Sequence, residues 1–579
     1  MSYPNETLSQ APVEKSAEAV KPLFSIDGYL RVMANAKLHD ALYYTSFLLL
    51  GVLLIMPLWT VTYLPLGDLA DHAAQLRTIL DFEAYQQNYR INWFTPYWVG
   101  YGFALFFSLF FSVVTALKIV LSLALLAYPL AAAWLIHELK GNRFWVWSAF
   151  PCAWGFTVYW GFLSFTVATP IAIAFLAFTV RYAQAQLNWR YVLGAAVFSI
   201  FLFFSHALAW LFAVGVACSV LFIYNSFERS KLKAWAFMAA VPVVLLWISF
   251  SSDGSGSVES GRYVEHLMNK TQEIWGAFAN QYKELAKESG HWNRTKEFFS
   301  FSIGKPAMLD YSLLGLLCLL WPKFTGARFS RNWRRWVPLL SAFAAFLLVP
   351  YWIFDTAYVY YRFSVFLIPF GYFIFDARPQ PQQDDEQAKP ESASTPLKKQ
   401  IWQQVYYVAG VLIVASILLS VNSLIATFKE NDAQFKDVLG EMEPGKRVMM
   451  MVFNGDSAMR FSPAYSHFVK YYQAEKLGEV LPAFSHDEHA DNVPIRYRHK
   501  FIQAPSVWNP NDFNWRKHQG AKYDYFVIRA NSVRRNMFRD SKGDIVLITE
   551  SGPWHLYGKK EYLKSNKSKA EAMVHQVPP

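Results

Sequence analysis

The sequence predicts an α-helical polytopic membrane protein of about 11 transmembrane helices, followed by a C-terminal extracytoplasmic α/β domain. Three observations predict it. Of 579 residues, 54% are hydrophobic and 18% aromatic, with 22 Trp and 49 Phe. Apolar runs long enough to cross a bilayer recur along most of the chain. From residue 428 the character changes to short β-like runs, helical spacing and turn signals.

The N-terminal segment, 1–41, is polar, and Phe24 to His39 mixes apolar and basic residues as an interfacial helix would. The first long apolar run starts near Ala41 and ends without a small-residue cleavage site, so it reads as an anchor. Spans are expected near 42–63, 114–136, 144–159, 163–182, 190–205, 207–226, 232–250, 306–322, 336–353, 357–376 and 401–425. The apolar stretch Tyr97 to Ser112 is short for a crossing and is assigned to a re-entrant or interfacial helix. The transmembrane domain is thus 42–427 and the extracytoplasmic domain 428–579.

Orientation follows from the basic residues. Lys140, Arg143, Arg181, Arg190, Arg229, Lys231, Lys233 and the run Lys323 to Arg335 all fall on one set of loops. Lys and Arg collect on cytoplasmic loops, so these loops and the N-terminus are placed inside. The net charge of +11 is therefore read as topology, and no nucleic-acid partner is implied. A multi-pass protein of a bacterial inner membrane, with its C-terminal domain periplasmic or extracellular, fits this pattern. Cys152, Cys218 and Cys318 lie in apolar runs and offer neither a disulfide framework nor zinc spacing. Pro379 to Lys399 reads as a flexible cytoplasmic linker.

In the C-terminal region, Val448 to Phe453 follows Pro444-Gly445 and reads as a buried strand. Ala464 to Glu475 has helical spacing, Tyr525 to Ile528 and Ile545 to Ile548 are strand candidates, and Gly552-Pro553 turns into a last strand.

Just past the first span lies Leu64-Pro65-Leu66-Gly67-Asp68-Leu69-Ala70-Asp71-His72. Two carboxylates and an imidazole at a membrane boundary are a functional-site hypothesis by default. With Asp68 opening a helix, Asp71 and His72 fall on the same face, suited to a general base or to a divalent cation. Plain helix capping is the alternative, because acids in a first turn complement the helix dipole. On the same side of the membrane fall Ser205-His206, and Asp355, Tyr360, Tyr361 and Arg362 at the outer start of a later span. Arg362 precedes apolar sequence and is assigned to a polar interior or a ligand phosphate, with snorkelling to the interface as the alternative. Trp154 to Ser164 reads as an interfacial aromatic belt. Asp253 to Lys305 reads as an external solvated loop, with a lid over the site as the alternative, and His486 to His489 as a polar surface loop.

An acidic motif directly after the first span, a multi-span core and an external α/β domain resemble the GT-C superfamily of polytopic membrane glycosyltransferases. The resemblance covers nearly the whole chain. It implies an inverting enzyme of cell-envelope polysaccharide biosynthesis that uses a polyprenyl-phosphate sugar donor. The acceptor would be an extracytoplasmic glycan, lipid or protein. It further implies Asp68 or Asp71 as catalytic base or metal-site residue, with a divalent cation as the cofactor candidate. Substrate-binding roles would go to His72, His206, Tyr360 and Arg362. The chain departs from the oligosaccharyltransferase branch, since no Trp-Trp-Asp-type motif occurs in its C-terminal domain. The competing class is a non-catalytic transporter or assembly factor for envelope polysaccharide.

Overall fold

A computed structural model describes residues 36–251, 272, 275–280, 290–304, 309–353, 357–376, 394–459, 462–484, 493–498, 504–534 and 536–562. Most of the interfacial helix at 24–39, most of the external loop 253–305, Asp355, most of the linker 379–399 and the loop 486–489 lie outside the described residues.

Helix α1 (Ala36–Ile55) runs into a short 3-10 turn, Met56–Trp59. It is followed by α2 (Leu69–Leu80), α3 (Trp98–Ser108), α4 (Val113–Glu138), α5 (Leu163–Gln184), α6 (Trp189–Ser205) and α7 (Ala207–Tyr224). Later come Leu309–Phe324, Val337–Leu348, α8 (Ser394–Ala426) and α9 (Lys429–Gly440). Among the described residues, 5 helices are long and apolar enough to cross a membrane: Asp40–Trp59, Val113–Glu138, Leu163–Gln184, Ala207–Tyr224 and Gln404–Gly440. The expectation of about 11 spans exceeds this count. Three of the expected spans are not continuous helices, and in 232–250 the break lies at Trp235–Ala236, before a 3-10 turn over Phe237–Ala240. Residues 144–159 form three short turns, interrupted where Gly155 adopts extended backbone. Residues 357–376 contain Tyr360–Phe366, Leu367–Gly371 and Tyr372–Ile374 as successive short turns. Helix α3 has 11 residues, a rise of about 16 Å, and cannot span a bilayer core of about 30 Å by itself.

The broken segment 144–159 is an interior element. Trp145, Trp147, Trp154 and Tyr159 are all at most 1% exposed, which corrects the reading of Trp154 to Ser164 as an interfacial belt. Apolar composition alone does not separate protein-facing from lipid-facing aromatics. Some basic loop residues have structural duties. Lys233 donates to the carbonyls of Tyr182, Ala183 and Ala185 at 2.8, 2.9 and 2.8 Å, closing the end of α5.

The C-terminal region contains β4 (Arg447–Val452), β5 (Glu479–Leu481), β7 (Tyr525–Arg529), β8 (Ile545–Ser551) and β9 (Trp554–Lys559), in sheet order β5-β4-β7-β9-β8. β4 runs parallel to β5 and β7, whereas β9 is antiparallel to β7 and β8. Alternation along β4 sends Val448 and Met450 to one face and Met449 and Met451 to the other. The first pair joins Trp554 and Leu556 in the core that also holds α1, α4 and α5; the second joins a separate cluster with Phe526 and Ile528. The helical and sheet regions therefore share one apolar core.

Side chains and a small ladder reinforce that junction. β1 (Tyr89–Ile91), in the loop after α2, pairs antiparallel with β6 (Ile495–Tyr497). Two-residue strands β2 (Arg328–Phe329) and β3 (Phe375–Asp376) pair elsewhere in the helical part. The Asp432 carboxylate on α9 accepts the backbone N–H groups of Thr62 and Tyr63 at 2.9 and 2.8 Å. Tyr85 donates to the Gly478 carbonyl at 2.9 Å and Tyr89 to Glu479 at 2.7 Å. The helix expected over 464–475 is shorter: a 3-10 turn at Phe468–Lys470 leads into α10 (Tyr471–Lys476), which packs on α2.

Candidate functional site

Two glycines bring the first loop into place. The Asp68 N–H donates to the Trp160 carbonyl at 2.8 Å, an approach that a side chain at Gly67 would block, since its Cβ would lie 2.6 Å from that oxygen. Gly161, at φ +82°, completes the contact; a Cβ there would fall 2.6 Å from the Leu69 nitrogen. Asp68 thus begins α2 while pinned to the buried turn after residue 159. Its side chain makes no capping bond to the helix, so capping does not account for this carboxylate.

Asp71 has a different environment. It is 1% exposed and accepts hydrogen bonds from Gln75 Nε2 at 2.6 Å and from the ammonium of Lys470, itself 0% exposed. Gln75 Oε1 in turn accepts from Tyr101 at 3.1 Å, and the Tyr101 hydroxyl lies 2.6 Å from His72 Nδ1. Lys470, Asp71, Gln75, Tyr101 and His72 therefore form one continuous buried network. Burial pushes the Asp71 carboxyl up, but Lys470 and His467, with the bonds from Lys470 and Gln75, hold it below its usual range. Burial lowers His72 to about 4, opposed by Asp71 and assisted by Arg362, so the ring is neutral.

Asp68 is 16% exposed and accepts no hydrogen bond from a described residue; His467 Nε2 stands 3.7 Å away. Burial raises its carboxyl to about 8, the Asp71 charge adds to the effect, and Arg362 and Lys470 oppose it. His467 is lowered to about 3, by burial first, with Asp71 opposing and Lys470 and His72 adding. Its Nδ1 is buried and has no partner among the described residues.

A second wall of the site centres on Arg362. Arg362 is 6% exposed and lies 4.0 Å over the Phe162 ring, within the field of Asp68 and His72. His206 caps α7: its Nδ1 accepts the Leu208 N–H at 3.2 Å. The proton of its neutral ring then belongs on Nε2, which faces Arg362 Nη1 at 3.4 Å. Two donors meet there without an acceptor between them. Arg362 Nη2 reaches the Ala357 carbonyl at 3.4 Å, and Nε has no partner among the described residues. Such a cluster suits an anionic oxygen.

Asp68, Asp71, His72, His206 and Arg362 thus gather around one locus. Tyr360 does not join them. Its hydroxyl donates to Glu297 at 3.1 Å and its ring lies 3.7 Å under the Arg294 guanidinium. Residues two apart on a 3-10 turn point about 120° apart, so Tyr360 and Arg362 cannot share a face. Tyr358, at φ +58° and 4.0 Å from the Trp160 ring, is the tyrosine within the field of Asp68. Lys470, His467, Gln75 and Tyr101 were not foreseen. The available signal was a Lys and a His within the aromatic run Tyr465 to Tyr472.

The residues present do not fit a divalent cation. Lys470 neutralises Asp71, Asp68 lies within the field of Arg362, and among the described residues no group of three His, Cys, Asp or Glu side chains could hold a metal ion. Comparison with known proteins finds no matching family model and no matching curated protein. Among solved structures, the chain is similar to the arabinofuranosyltransferase AftD from Mycobacteria, with a TM-score of 0.45 and 12% identity. That alignment covers 89% of this chain but 40% of the AftD chain, so the chain spans well under half the length of its structural neighbour.

Proposed function

We propose that the protein is a membrane glycosyltransferase that moves a sugar from a polyprenyl-phosphate donor to an extracytoplasmic glycan, lipid or protein. The observation that carries this reading is one juxtaposition. Asp68, whose carboxyl accepts no hydrogen bond among the described residues, lies within the field of a buried guanidinium that meets a second donor where an acceptor belongs.

In this mechanism the donor's phosphate oxygens sit beside the Arg362 Nη1 and His206 Nε2 pair and accept from both. The acceptor hydroxyl attacks the anomeric carbon from the side opposite the phosphate. Its proton passes to Asp68 as the new C–O bond forms, and the bond to the phosphate oxygen breaks with its electron pair. The phosphate leaves as an anion held by Arg362, and the configuration at the anomeric carbon inverts. A carboxyl titrating at about 8 is suited to such a transfer, because a base works best near its operating pH. Positioning and charge stabilisation supply the rest, since phosphate is already a good leaving group.

The test is mass spectrometry of polyprenyl-phosphate sugars and envelope glycans in cells carrying wild type, Asp68→Asn or no copy of the gene. Loss of one sugar and accumulation of its lipid donor in both altered strains is the expected result. Normal glycans with Asp68→Asn, but altered glycans in the deletion, would favour an assembly factor instead.

A further inference from the structure

We propose that Lys470, contributed by the C-terminal region, divides the work of the two first-loop carboxylates: its ion pair fixes Asp71 as an anion, leaving Asp68 as the group that gains and loses a proton. The inference deepens the glycosyltransferase reading and rests on it for the proton's purpose, though the division itself follows from geometry.

Two carboxylates near the start of one buried helix repel each other, and both ionise only if cations compensate both. Lys470 compensates one of them. Its ammonium is fully buried and bonded to Asp71 Oδ1, while Gln75 donates to Oδ2 at 2.6 Å. Both Asp71 oxygens therefore accept hydrogen bonds. Gln75 is held by Tyr101, and Tyr101 lies against His72, so Asp71 cannot turn without breaking the network. Burial lowers the Lys470 ammonium, while the Asp71 carboxylate, its hydrogen bond to Lys470, and Asp68 and Glu479 oppose that shift.

Asp68 has no such support. The groups facing it are Asp71 on its own helix, His467 and Lys470 from the 467–470 turn, and Arg362 and Tyr358 from the segment after 357. His467 is neutral and 3.7 Å away, and Arg362 acts through its field without a hydrogen bond. Lys470 is thus a positioning residue: it meets no reacting atom, but decides which carboxylate titrates.

Dicyclohexylcarbodiimide reacts with protonated carboxyl groups in apolar surroundings, so it reads this division without any sugar donor. The full-length protein in detergent is treated from about pH 6 to about pH 10 and its peptides are analysed by mass spectrometry. Label is expected on Asp68 and not on Asp71, falling about tenfold per pH unit above the titration point. Lys470→Arg should keep this pattern, whereas Lys470→Met should bring label onto Asp71. If Lys470→Met fails to fold, Lys470→Met with Asp71→Asn removes both charges and should still label Asp68. Label on Asp71 in the wild type, or none on Asp68 at any pH, overturns the proposal. A protein that labels as expected yet transfers no sugar would sink the glycosyltransferase reading and leave the division standing.

Discussion

The two walls of the site treat their charges in opposite ways. On the α2 wall, Asp71, Gln75, Tyr101, His72 and Lys470 satisfy one another in a closed network. On the other wall, the hydrogen-bonding groups of the Arg362 guanidinium reach, among the described residues, only His206 and Ala357, each at 3.4 Å, and Nε has no partner there. A buried polar group left short of partners costs stability, so it persists where a ligand completes it. Among the described residues the Asp68 carboxyl is hydrogen-bonded to neither group. The difference separates residues that hold the site together from residues that wait for substrate.

Asp68→Asn tests the separation most severely. Sugar transfer should fall by about 10²- to 10⁴-fold, the usual contribution of a general base, while the protein keeps its thermal midpoint. Lys470→Ala should do the reverse on the satisfied wall. Stranding Asp71 as a buried, unpaired charge should cost about 3–5 kcal/mol in unfolding measured in detergent. The pair Lys470→Met and Asp71→Asn should recover most of that loss. Next comes Arg362→Lys, which keeps the charge but loses the planar fork. A loss of about 10²-fold in transfer, with little change in thermal midpoint, is expected. Equal losses of stability from Arg362→Lys and Lys470→Ala would erase the contrast.

The smallest effect is a pH slope. The native Asp68 carboxyl titrates at about 8, above its unfolded value near 3.9, so the native state holds a proton that the unfolded chain releases. Stability should therefore fall as pH rises toward 8. His72 and His467, lowered to about 4 and about 3, are neutral in the native state above these values. They complicate the slope only below about pH 6.5, where the unfolded chain protonates. Thermal midpoints between about pH 6.5 and 8 should decline in wild type and be level in Asp68→Asn.

Much of the fold was legible where periodicity is strong. The spans expected near 114–136, 163–182 and 207–226 correspond to α4, α5 and α7. The strand expected over Val448 to Phe453 corresponds to β4, and those at 525 and 545 to β7 and β8. Segments 144–159 and 357–376 were harder. Both are as apolar as a span, yet Pro151, Gly155, Pro369 and Gly371 occur in chains of short turns within the protein. Hydropathy records how apolar a segment is, not whether lipid or protein covers it.

The site divides along the same line. The sequence by itself determined the gathering of Asp68, Asp71 and His72, because helical spacing puts residues three and four apart on one face. It also marked Arg362 and His206, since charge and imidazole stand out against apolar surroundings. Only the tertiary structure decided that the two acids are unlike. That distinction depends on Lys470, whose ammonium bonds Asp71 from 399 residues further along the chain. Local spacing carries no information about a charge arriving from so far away, and that charge governs which carboxylate keeps a proton.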